Sequence, residues 1–214
     1  MRWIFEIGAL PYELLVYQQP WRDHCRAMLS RLPAGEGRRI LDAGCGPGVS
    51  ALAMRAASPG DLFVGLDLSS LMLSRAASRR RAEGVPPERL PLVQGDATQL
   101  PFADESFDGV TGHSFAYLIP RRELALQEIR RVLRPGGRIV LLEPAAGPSL
   151  LPVLRSVGQG LRFAASMAAW RVVSGGIGRF TPTRLEALLT LAGFREVSTE
   201  PTLSGLGLFA TGTR

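Results

Sequence analysis

The chain contains no lysine, and all 25 of its basic residues are arginine. Without lysine the protein cannot form a Schiff base, and it cannot build the phosphate-binding loop that ends in Gly-Lys-Ser/Thr. The formal net charge of +6 favours an acidic partner. Because the arginines are spread along the chain, charge alone does not identify that partner.

Cysteine and histidine are also scarce, with two of each. Two cysteines do not make the disulfide framework of a small secreted protein, which favours a reducing, cytoplasmic location. We expect no metal site, since no cluster of Cys and His has the spacing of metal ligands. No uncharged apolar run approaches the roughly 20 residues of a membrane span, and acidic residues make the N-terminus a poor signal peptide.

What the chain does contain is a regular alternation of short apolar runs with longer helical patterns. We predict helices at 49–57, 69–83, 121–133 and 183–192, and strands at 39–43, 62–66, 90–94, 107–111, 138–142, 194–199 and 207–212. Strands that alternate with helices form βαβ units and a parallel sheet with helices on both faces. The predicted fold class is therefore α/β, with five parallel strands and a closing C-terminal hairpin in one seven-stranded sheet.

The segment before the first strand and the segment after the fifth strand do not follow this alternation. We predict an N-terminal helical cap at residues 1–36 and an α/β domain at 37–214, with a helical cap inserted at about 145–180. Leucines and valines of residues 150–161 share one helical face opposite Arg155 and Arg162, which is an amphipathic pattern. Such a face either packs on the domain core, forms a pocket for a hydrophobic ligand or lies on an anionic membrane.

The most specific motif is ILDAGCGPG at residues 40–48, which runs from a strand through a turn into a helix. Its glycines let the backbone approach a ligand closely, and the helix N-terminus presents free N–H groups. Asp42 disfavours a phosphate ligand, since two anions repel, and suits a cationic amino group. The Gly-x-Gly-x-Gly spacing also differs from the Gly-x-Gly-x-x-Gly of dinucleotide sites.

Two further acids follow the next two predicted strands. Asp67 can accept hydrogen bonds from ribose hydroxyls, a role that a nicotinamide site would share, or it can cap the following helix. Asp96 can accept from an adenine amino group or serve as an ordinary turn residue. Because the carboxyl ends of parallel strands meet at one edge, we expect Asp42, Asp67 and Asp96 to line one crevice.

With these motifs the chain resembles the class I S-adenosylmethionine-dependent methyltransferases. The matching strings, in the same order and spacing, are ILDAGCGPG, GLDLS at 65–69, GDATQLPFADESFDGV at 95–110 and LRPGGRIVLLEP at 133–144. The chain is most similar to quinone C-methyltransferases and bacterial phosphatidylethanolamine N-methyltransferases. The resemblance implies a Rossmann-like fold, S-adenosyl-L-methionine as cofactor, S-adenosyl-L-homocysteine as product and a small-molecule or lipid acceptor.

The resemblance also implies which residues touch each part of the cofactor. The methionine part would lie against Asp42, Gly44, Cys45, Gly46 and Gly48. The ribose would be held by Asp67 and Leu68, and the adenine by Met72, Asp96 and Ala97. His113 follows the fourth strand and would lie near the sulfonium, either as a general base or merely in contact with the cofactor. Tyr12 and Tyr17 are second candidates for the base, if the N-terminal helices fold over the pocket.

Several alternatives remain open at this level. They are an S-adenosylmethionine-binding module without catalysis, a nicotinamide-dependent oxidoreductase and an RNA methyltransferase. The chain lacks an Asn/Asp-Pro-Pro-Tyr/Phe string after the fourth strand and has no aromatics interleaved with Arg79–Arg81, so we expect no nucleic-acid partner. The acceptor atom and the oligomeric state are undetermined. We expect a cytoplasmic protein, with contact to the inner face of a membrane as a second interpretation.

Overall fold

The computed structural model describes residues 18–147 and 151–214. Its strands are β1 (Arg39–Ala43), β2 (Leu62–Asp67), β3 (Leu92–Gln94), β4 (Phe107–His113), β5 (Leu133–Pro144), β6 (Arg195–Thr202) and β7 (Gly207–Thr213). Its helices are α1 (Gln19–Ala27), α2 (Val49–Ala57), α3 (Ser70–Ala82), α4 (Arg122–Val132), α5 (Leu151–Arg155), α6 (Leu161–Ile177) and α7 (Pro182–Leu191).

The strands form one sheet in the order β3-β2-β1-β4-β5-β7-β6. The first five pair in parallel, and β7 runs antiparallel between β5 and β6. The predicted seven-stranded α/β fold with its closing hairpin is thereby confirmed. The strand order reverses between β1 and β4, and in open sheets of this kind ligands bind at that reversal, beyond the carboxyl ends of the strands.

Alternate side chains of each strand face two separate helical layers. Leu41, Leu66 and Leu141 pack on one face of the sheet, against α4 and α7. On the other face Ile40 and Val140 pack against α1, α2 and α6. Since both faces are covered, inner strands such as β1 and β2 are mainly apolar and buried, which is why they are recognisable as hydrophobic runs, whereas β6 at the edge is polar and largely exposed.

The element bounds differ from the predicted ones mainly at β5, at β6, which continues to Thr202, and at β3. Strand β5 begins at Leu133 rather than Arg138, because Leu133 pairs with Phe107 ahead of an irregularity in the register. Strand β3 begins at Leu92 rather than Leu90. The helices end within one residue of prediction, and Ser69 caps α3 by accepting a hydrogen bond from the Met72 N–H at 3.3 Å.

The prediction of one amphipathic face over residues 150–161 is wrong. The segment divides into α5, a 3-10 turn at Ser156–Gln159 and the start of α6, with Gly160 at a φ of +114° between them. The glycine backbone turns the chain there, so the leucines before and after it cannot share a helical face. Leu154 and Leu161 are exposed instead of packing on the core.

The predicted N-terminal cap lies largely outside the described residues. Residues 1–17, which include Tyr12 and Tyr17, are not described, and the same holds for residues 148–150. The described remainder of the cap is α1, which has Pro20 in its first turn and packs on α2 through Trp21 and Cys25. The division into domains stays a prediction.

A buried ion pair joins the ends of the first two strands. Asp61 is almost fully buried and accepts hydrogen bonds from the backbone N–H of Arg38 at 2.9 Å, its guanidinium at 2.6 and 3.0 Å, and Ser58 Oγ at 2.8 Å. Burial favours the neutral acid, but these hydrogen bonds prevail and hold the pKa of Asp61 below its usual value.

We expect Asp61→Ala to lower the free energy of unfolding by about 3 kcal/mol, because it leaves the Arg38 guanidinium buried without its partner. Asp104→Ala, which breaks an exposed pair with Arg131, is the control and should cost under about 1 kcal/mol. Urea unfolding measures both. Since the folded pKa of Asp61 is lowered, its contribution is present near neutral pH and disappears as the pH falls through that pKa. Equal losses in the two variants would contradict this assignment.

Candidate functional site

The turn that follows β1 is held in place by β2. The backbone N–H of Cys45 donates to the carbonyl of Leu66 at 2.9 Å, and Gly48 N–H closes the turn on Cys45 O at 2.9 Å. Gly44, Gly46 and Gly48 all have positive φ. This backbone conformation is the left-handed one that glycine adopts without strain, so the motif specifies a fixed turn leading into α2.

Gly44 is also required by a close approach of the loop after β4. A Cβ on Gly44 would lie 2.6 Å from Cδ2 of Phe115, which is closer than two carbon atoms can approach. In contrast, a Cβ on Gly46 would meet no atom of the described residues within 4 Å. The turn therefore packs on Phe115 on one side, and no described residue packs against Gly46 on the other.

Asp42 lies beneath this turn rather than on the surface of the crevice. Its carboxylate is 1% exposed and accepts hydrogen bonds from Ser50 Oγ at 2.5 Å and Thr111 Oγ1 at 3.0 Å. Burial raises the pKa of Asp42 to about 6, against the opposing effect of those two hydrogen bonds. In this arrangement Asp42 anchors α2 and β4 to β1 and contributes a negative potential to the turn.

Asp67 is the acid that holds the turn directly. Its Oδ2 accepts from the Gly46 N–H at 2.8 Å and its Oδ1 from the Ser69 N–H at 2.9 Å. Burial nevertheless raises the pKa of this half-buried carboxyl group. Next to it Leu68 is exposed and Met72 is buried, so the start of α3 presents an apolar surface beside the carboxylate.

Asp96 is exposed and holds its own loop. Its Oδ1 accepts from both the backbone N–H and the hydroxyl of Thr98, each at 2.8 Å, and the pKa of Asp96 is lowered by these bonds. The loop is tied to the neighbouring strand through Gly95 N–H, which donates to Asp67 O at 3.1 Å, while Ala97 is buried beneath it. Asp96 thus lies beyond the carboxyl end of β3, one strand along from Asp67.

His113 ends β4 and is covered by a residue that the sequence did not single out. The Trp21 ring meets the His113 ring edge to face, with centroids 4.4 Å apart. His113 is only 8% exposed, and its Nε2 has no hydrogen-bond partner among the described residues. Burial lowers the pKa of His113 to about 3, so the ring is neutral at physiological pH.

Trp21 also reaches the cap helix α6. It packs edge to face on Trp170, with centroids 5.6 Å apart, and Trp170 Nε1 donates to Ser114 Oγ at 3.1 Å. The space enclosed by Trp21, His113, Ser50 and the glycine turn has a volume of only about 20 Å³. That is room for a single water molecule. The described state is therefore closed beside the glycine turn.

Glu143 is a second residue whose role the sequence did not reveal. It ends β5, is fully buried, and accepts hydrogen bonds from the backbone N–H groups of Phe115, Ala116 and Tyr117 at 3.0, 2.7 and 3.2 Å. Burial raises the pKa of Glu143 to about 7 against the effect of these three bonds. Its position at a strand end, like that of Asp67, was a signal that could have found it.

Comparisons with known proteins identify this region. A family model described as a methyltransferase domain matches residues 41–141. Residues 41–141 form a methyltransferase domain. The resemblance inferred from the motifs is thereby confirmed, and S-adenosylmethionine is the cofactor of such a domain.

Curated relatives of the methyltransferase domain act on different acceptors. The fatty-acid O-methyltransferase of Mycolicibacterium smegmatis is 40% identical over 102 residues, which is 48% of this chain and 35% of that protein. The ubiquinone/menaquinone biosynthesis C-methyltransferase UbiE of Paracoccus denitrificans is 40% identical over 130 residues, which is 60% of this chain and 50% of that protein. The matched part of each relative is thus half of its length or less.

A solved structure shows the same fold over nearly the whole chain. Phosphoethanolamine N-methyltransferase 2 of Haemonchus contortus, in complex with S-adenosyl-L-methionine, aligns with a TM-score of 0.71 at 19% identity, covering 97% of this chain and 57% of that chain. At this level of identity the likeness concerns the fold alone. It extends the Rossmann-like architecture of the methyltransferase domain to the closing hairpin.

The methyltransferase domain has features that fit a bound S-adenosylmethionine. No residue of 18–147 or 151–214 packs against the Cβ position of Gly46, where a backbone without a Cβ admits a close ligand. The Asp67 carboxylate is fixed beside that position, and carboxylates accept hydrogen bonds from ribose hydroxyls. The unpartnered Nε2 of His113 is a buried polar atom that a ligand could satisfy.

We expect Gly46→Ala to weaken S-adenosylmethionine binding by at least about tenfold, or about 1.4 kcal/mol, because the new methyl group would project into the space beside the turn. Gly84→Ala is a matched control, since Gly84 also has a positive φ and open space, but lies after α3, away from the turn. Each variant should lose about 1–2 kcal/mol of stability from backbone strain. Titration calorimetry and thermal unfolding separate the two effects, and equal binding by both variants would contradict the placement of the ligand.

Proposed function

We propose that this protein transfers the methyl group of S-adenosylmethionine to a hydrophobic, lipid-like small molecule, with S-adenosylhomocysteine as the product. The observation that carries this function is the Asp67 carboxylate, which is bonded to the Gly46 N–H inside a methyltransferase domain. That arrangement fixes an anionic hydrogen-bond acceptor beside a backbone that leaves room for a ligand.

In this function each part of the crevice takes one part of the cofactor. Gly44, Cys45, Gly46 and Gly48 carry the backbone that meets the methionine part. Asp67 and Leu68 hold the ribose, and Met72, Asp96 and Ala97 surround the adenine. Asp42 acts from beneath the turn, where its buried charge favours a cationic ligand at short range.

The cofactor supplies an electrophilic methyl group on a sulfonium sulfur, so the protein's main task is to hold the acceptor in line and to exclude water. The closed packing of Trp21 over His113 suits water exclusion. It also leaves too little room for the methionine part, so Trp21 must shift when the cofactor enters. Because α1 carries Trp21 on its first turn, a movement of this helix opens the pocket.

His113 is the first candidate for a general base. Its neutral ring can accept a proton from an acceptor hydroxyl or ammonium through Nε2, the atom that has no partner in the described part of the chain. The buried environment disfavours the resulting imidazolium, so transfer to His113 is effective only when a ligand anion or the developing product balances that charge. Tyr12 and Tyr17 remain second candidates.

The acceptor class is inferred from the surroundings of the site and from the relatives. Two relatives of the domain are named for fatty-acid and quinone methylation. In this chain the α5–α6 segment beside the site exposes several leucine and valine side chains. A hydrophobic acceptor of this kind partitions into a bilayer, so we place the protein in the cytoplasm with access to the inner face of a membrane.

The closed pocket favours one second candidate, a cofactor-binding module without catalysis. A space of about 20 Å³ between Trp21, Ser50 and the turn does not admit an acceptor. If Trp21 returns to its place over His113 after the cofactor has bound, no acceptor can reach the methyl group.

Two measurements decide between the candidates. Titration calorimetry with S-adenosylmethionine and S-adenosylhomocysteine tests cofactor binding. A transfer screen with labelled methyl groups over fatty acids, quinols, phospholipids and phenolic metabolites then tests catalysis. Binding without transfer to any acceptor would favour the non-catalytic module, and absence of binding would remove both candidates.

Asp67→Ala should weaken S-adenosylmethionine binding by at least about tenfold, since a lost hydrogen bond to a charged group is worth about 1.5–3 kcal/mol. The exposed Asp104→Ala is the control, because its carboxylate pairs with Arg131 rather than with the turn. Calorimetry measures both variants. An affinity for Asp67→Ala that equals the wild-type value would exclude Asp67 from the cofactor site.

His113→Phe keeps a ring against Trp21 but removes Nε2, and we expect it to lower turnover by about 10²-fold or more, which exceeds its effect on cofactor affinity. The pKa of His113 is lowered to about 3, so its protonated form appears only in strong acid. The pH profile of wild-type turnover should therefore show no inflection from His113 between about pH 5 and 8. A wild-type inflection near the ordinary histidine pKa that disappears in His113→Phe would contradict the buried, neutral ring.

A further inference from the structure

Helix α6 is apolar on its outward side as well as on its inward side. Its inward face buries Phe163, Met167 and Trp170 against the core. Its outward face exposes Leu161 and Val172, at 76% and 77%, with Val173 and Ile177 beside them. A helix with apolar side chains on two opposite sides is normally covered by other material on both of them.

The same property extends to the chain that precedes α6. Eleven large apolar side chains are exposed among the described residues, and seven of them lie between residues 151 and 177, so the exposed apolar surface is concentrated on one segment. They are Leu151, Leu154, Val157, Leu161, Val172, Val173 and Ile177. We call residues 151–177 the docking segment.

The charge of this region has a single sign. No acidic residue occurs between Glu143 and Glu186, while five arginines do, namely Arg155, Arg162, Arg171, Arg179 and Arg184. Arg155 and Arg162 are themselves exposed on the docking segment. Exposed apolar side chains next to arginines, without acids, complement a surface that is apolar inside and anionic outside.

The docking segment is physically joined to the proposed methyl-transfer site. On the inward side of α6, Trp170 donates to Ser114 Oγ and packs on Trp21, which covers His113. Within the described residues, α6 thus carries the exposed apolar side chains on one side and contacts the residues around His113 with the other.

We propose that the docking segment lies on an anionic lipid bilayer, with the leucine and valine side chains in the acyl boundary and Arg155 and Arg162 at the lipid phosphates. Delivery of the acceptor to the site by this contact rests on the proposed methyltransferase function, whereas the contact itself does not. No helix in the described ranges 18–147 and 151–214 is long and apolar enough to cross a membrane.

Vesicle co-sedimentation tests this contact with the full chain. We use vesicles of phosphatidylcholine with roughly one-third phosphatidylglycerol, and vesicles of phosphatidylcholine alone. The wild-type protein should bind the anionic vesicles at least about tenfold more tightly than the neutral ones, and added salt should weaken binding. Failure of the wild-type protein to bind anionic vesicles would overturn the proposal.

Two variants and a matched control locate the surface. The double variant Leu161→Glu/Val172→Glu should lose at least about tenfold in vesicle binding, because two charges replace inserted apolar side chains. Arg155→Gln/Arg162→Gln should lose the preference for anionic vesicles but keep the apolar contribution. Leu191→Glu is the control, since Leu191 is 81% exposed on α7, outside the docking segment, and should bind like the wild type. An equal loss in Leu191→Glu would show that the docking segment is not the surface.

Two further measurements distinguish membrane contact from misfolding of the variants and from self-association of the chain. Since the substituted side chains are exposed, all variants should unfold at the wild-type temperature and bind S-adenosylmethionine with unchanged affinity. If the wild-type protein does not bind S-adenosylmethionine, the proposed function is wrong, but the conclusion drawn from vesicle binding is unaffected. Sedimentation velocity should show a wild-type protein that does not self-associate through this face. Self-association that Leu161→Glu/Val172→Glu abolishes, together with no vesicle binding, would instead assign the face to a second copy of the chain.

Discussion

The hydrogen bond from the Gly46 N–H to the Asp67 carboxylate is the contact on which the proposed cofactor crevice depends. It joins the turn after β1 to the end of β2, and the second carboxylate oxygen fixes the start of α3 through Ser69. The carboxylate is ionic and partly buried, so each bond is stronger than an exposed neutral one. Because it fixes the turn, the backbone at Gly46 keeps its shape before any ligand arrives.

Acidic side chains at the carboxyl ends of β1, β2 and β5 hold more of the surrounding loops in place than the motifs indicated. Asp42 holds Ser50 and Thr111, Asp67 holds the glycine turn, and Glu143 holds three N–H groups of the loop after β4. Loops that leave the carboxyl edge of a parallel sheet begin with N–H groups that have no partner in the sheet. A buried carboxylate satisfies several of them at once, and this fixes the loops that surround the crevice. For Asp42 and Asp67, loop anchoring is thus a property of the same acids to which our proposal assigns the cofactor.

The opposite side of the crevice is made by aromatic rings rather than by charges. Trp21 from α1 and Trp170 from α6 meet over His113, so two elements outside the parallel sheet close the site. Ring packing depends mainly on buried area, so these contacts require a less exact geometry than hydrogen bonds do. A shift of α1 can therefore open the aromatic side of the crevice, whereas the side held by the carboxylates stays in place.

The local sequence by itself determined the alternation of strands and helices, the glycine turn and the positions of Asp42, Asp67 and Asp96 at strand ends. These follow from periodicities of a few residues and from backbone angles that glycine alone adopts freely, and both are properties of neighbours along the chain. Only the tertiary structure decided that Asp42 is buried beneath the turn, that Glu143 anchors a loop 26–28 residues away in sequence, and that Trp21 covers His113. It also decided that the leucines around Gly160 face outward. Each of these depends on which elements pack together across long sequence separations, and the pattern of apolar residues in one element does not specify its partner.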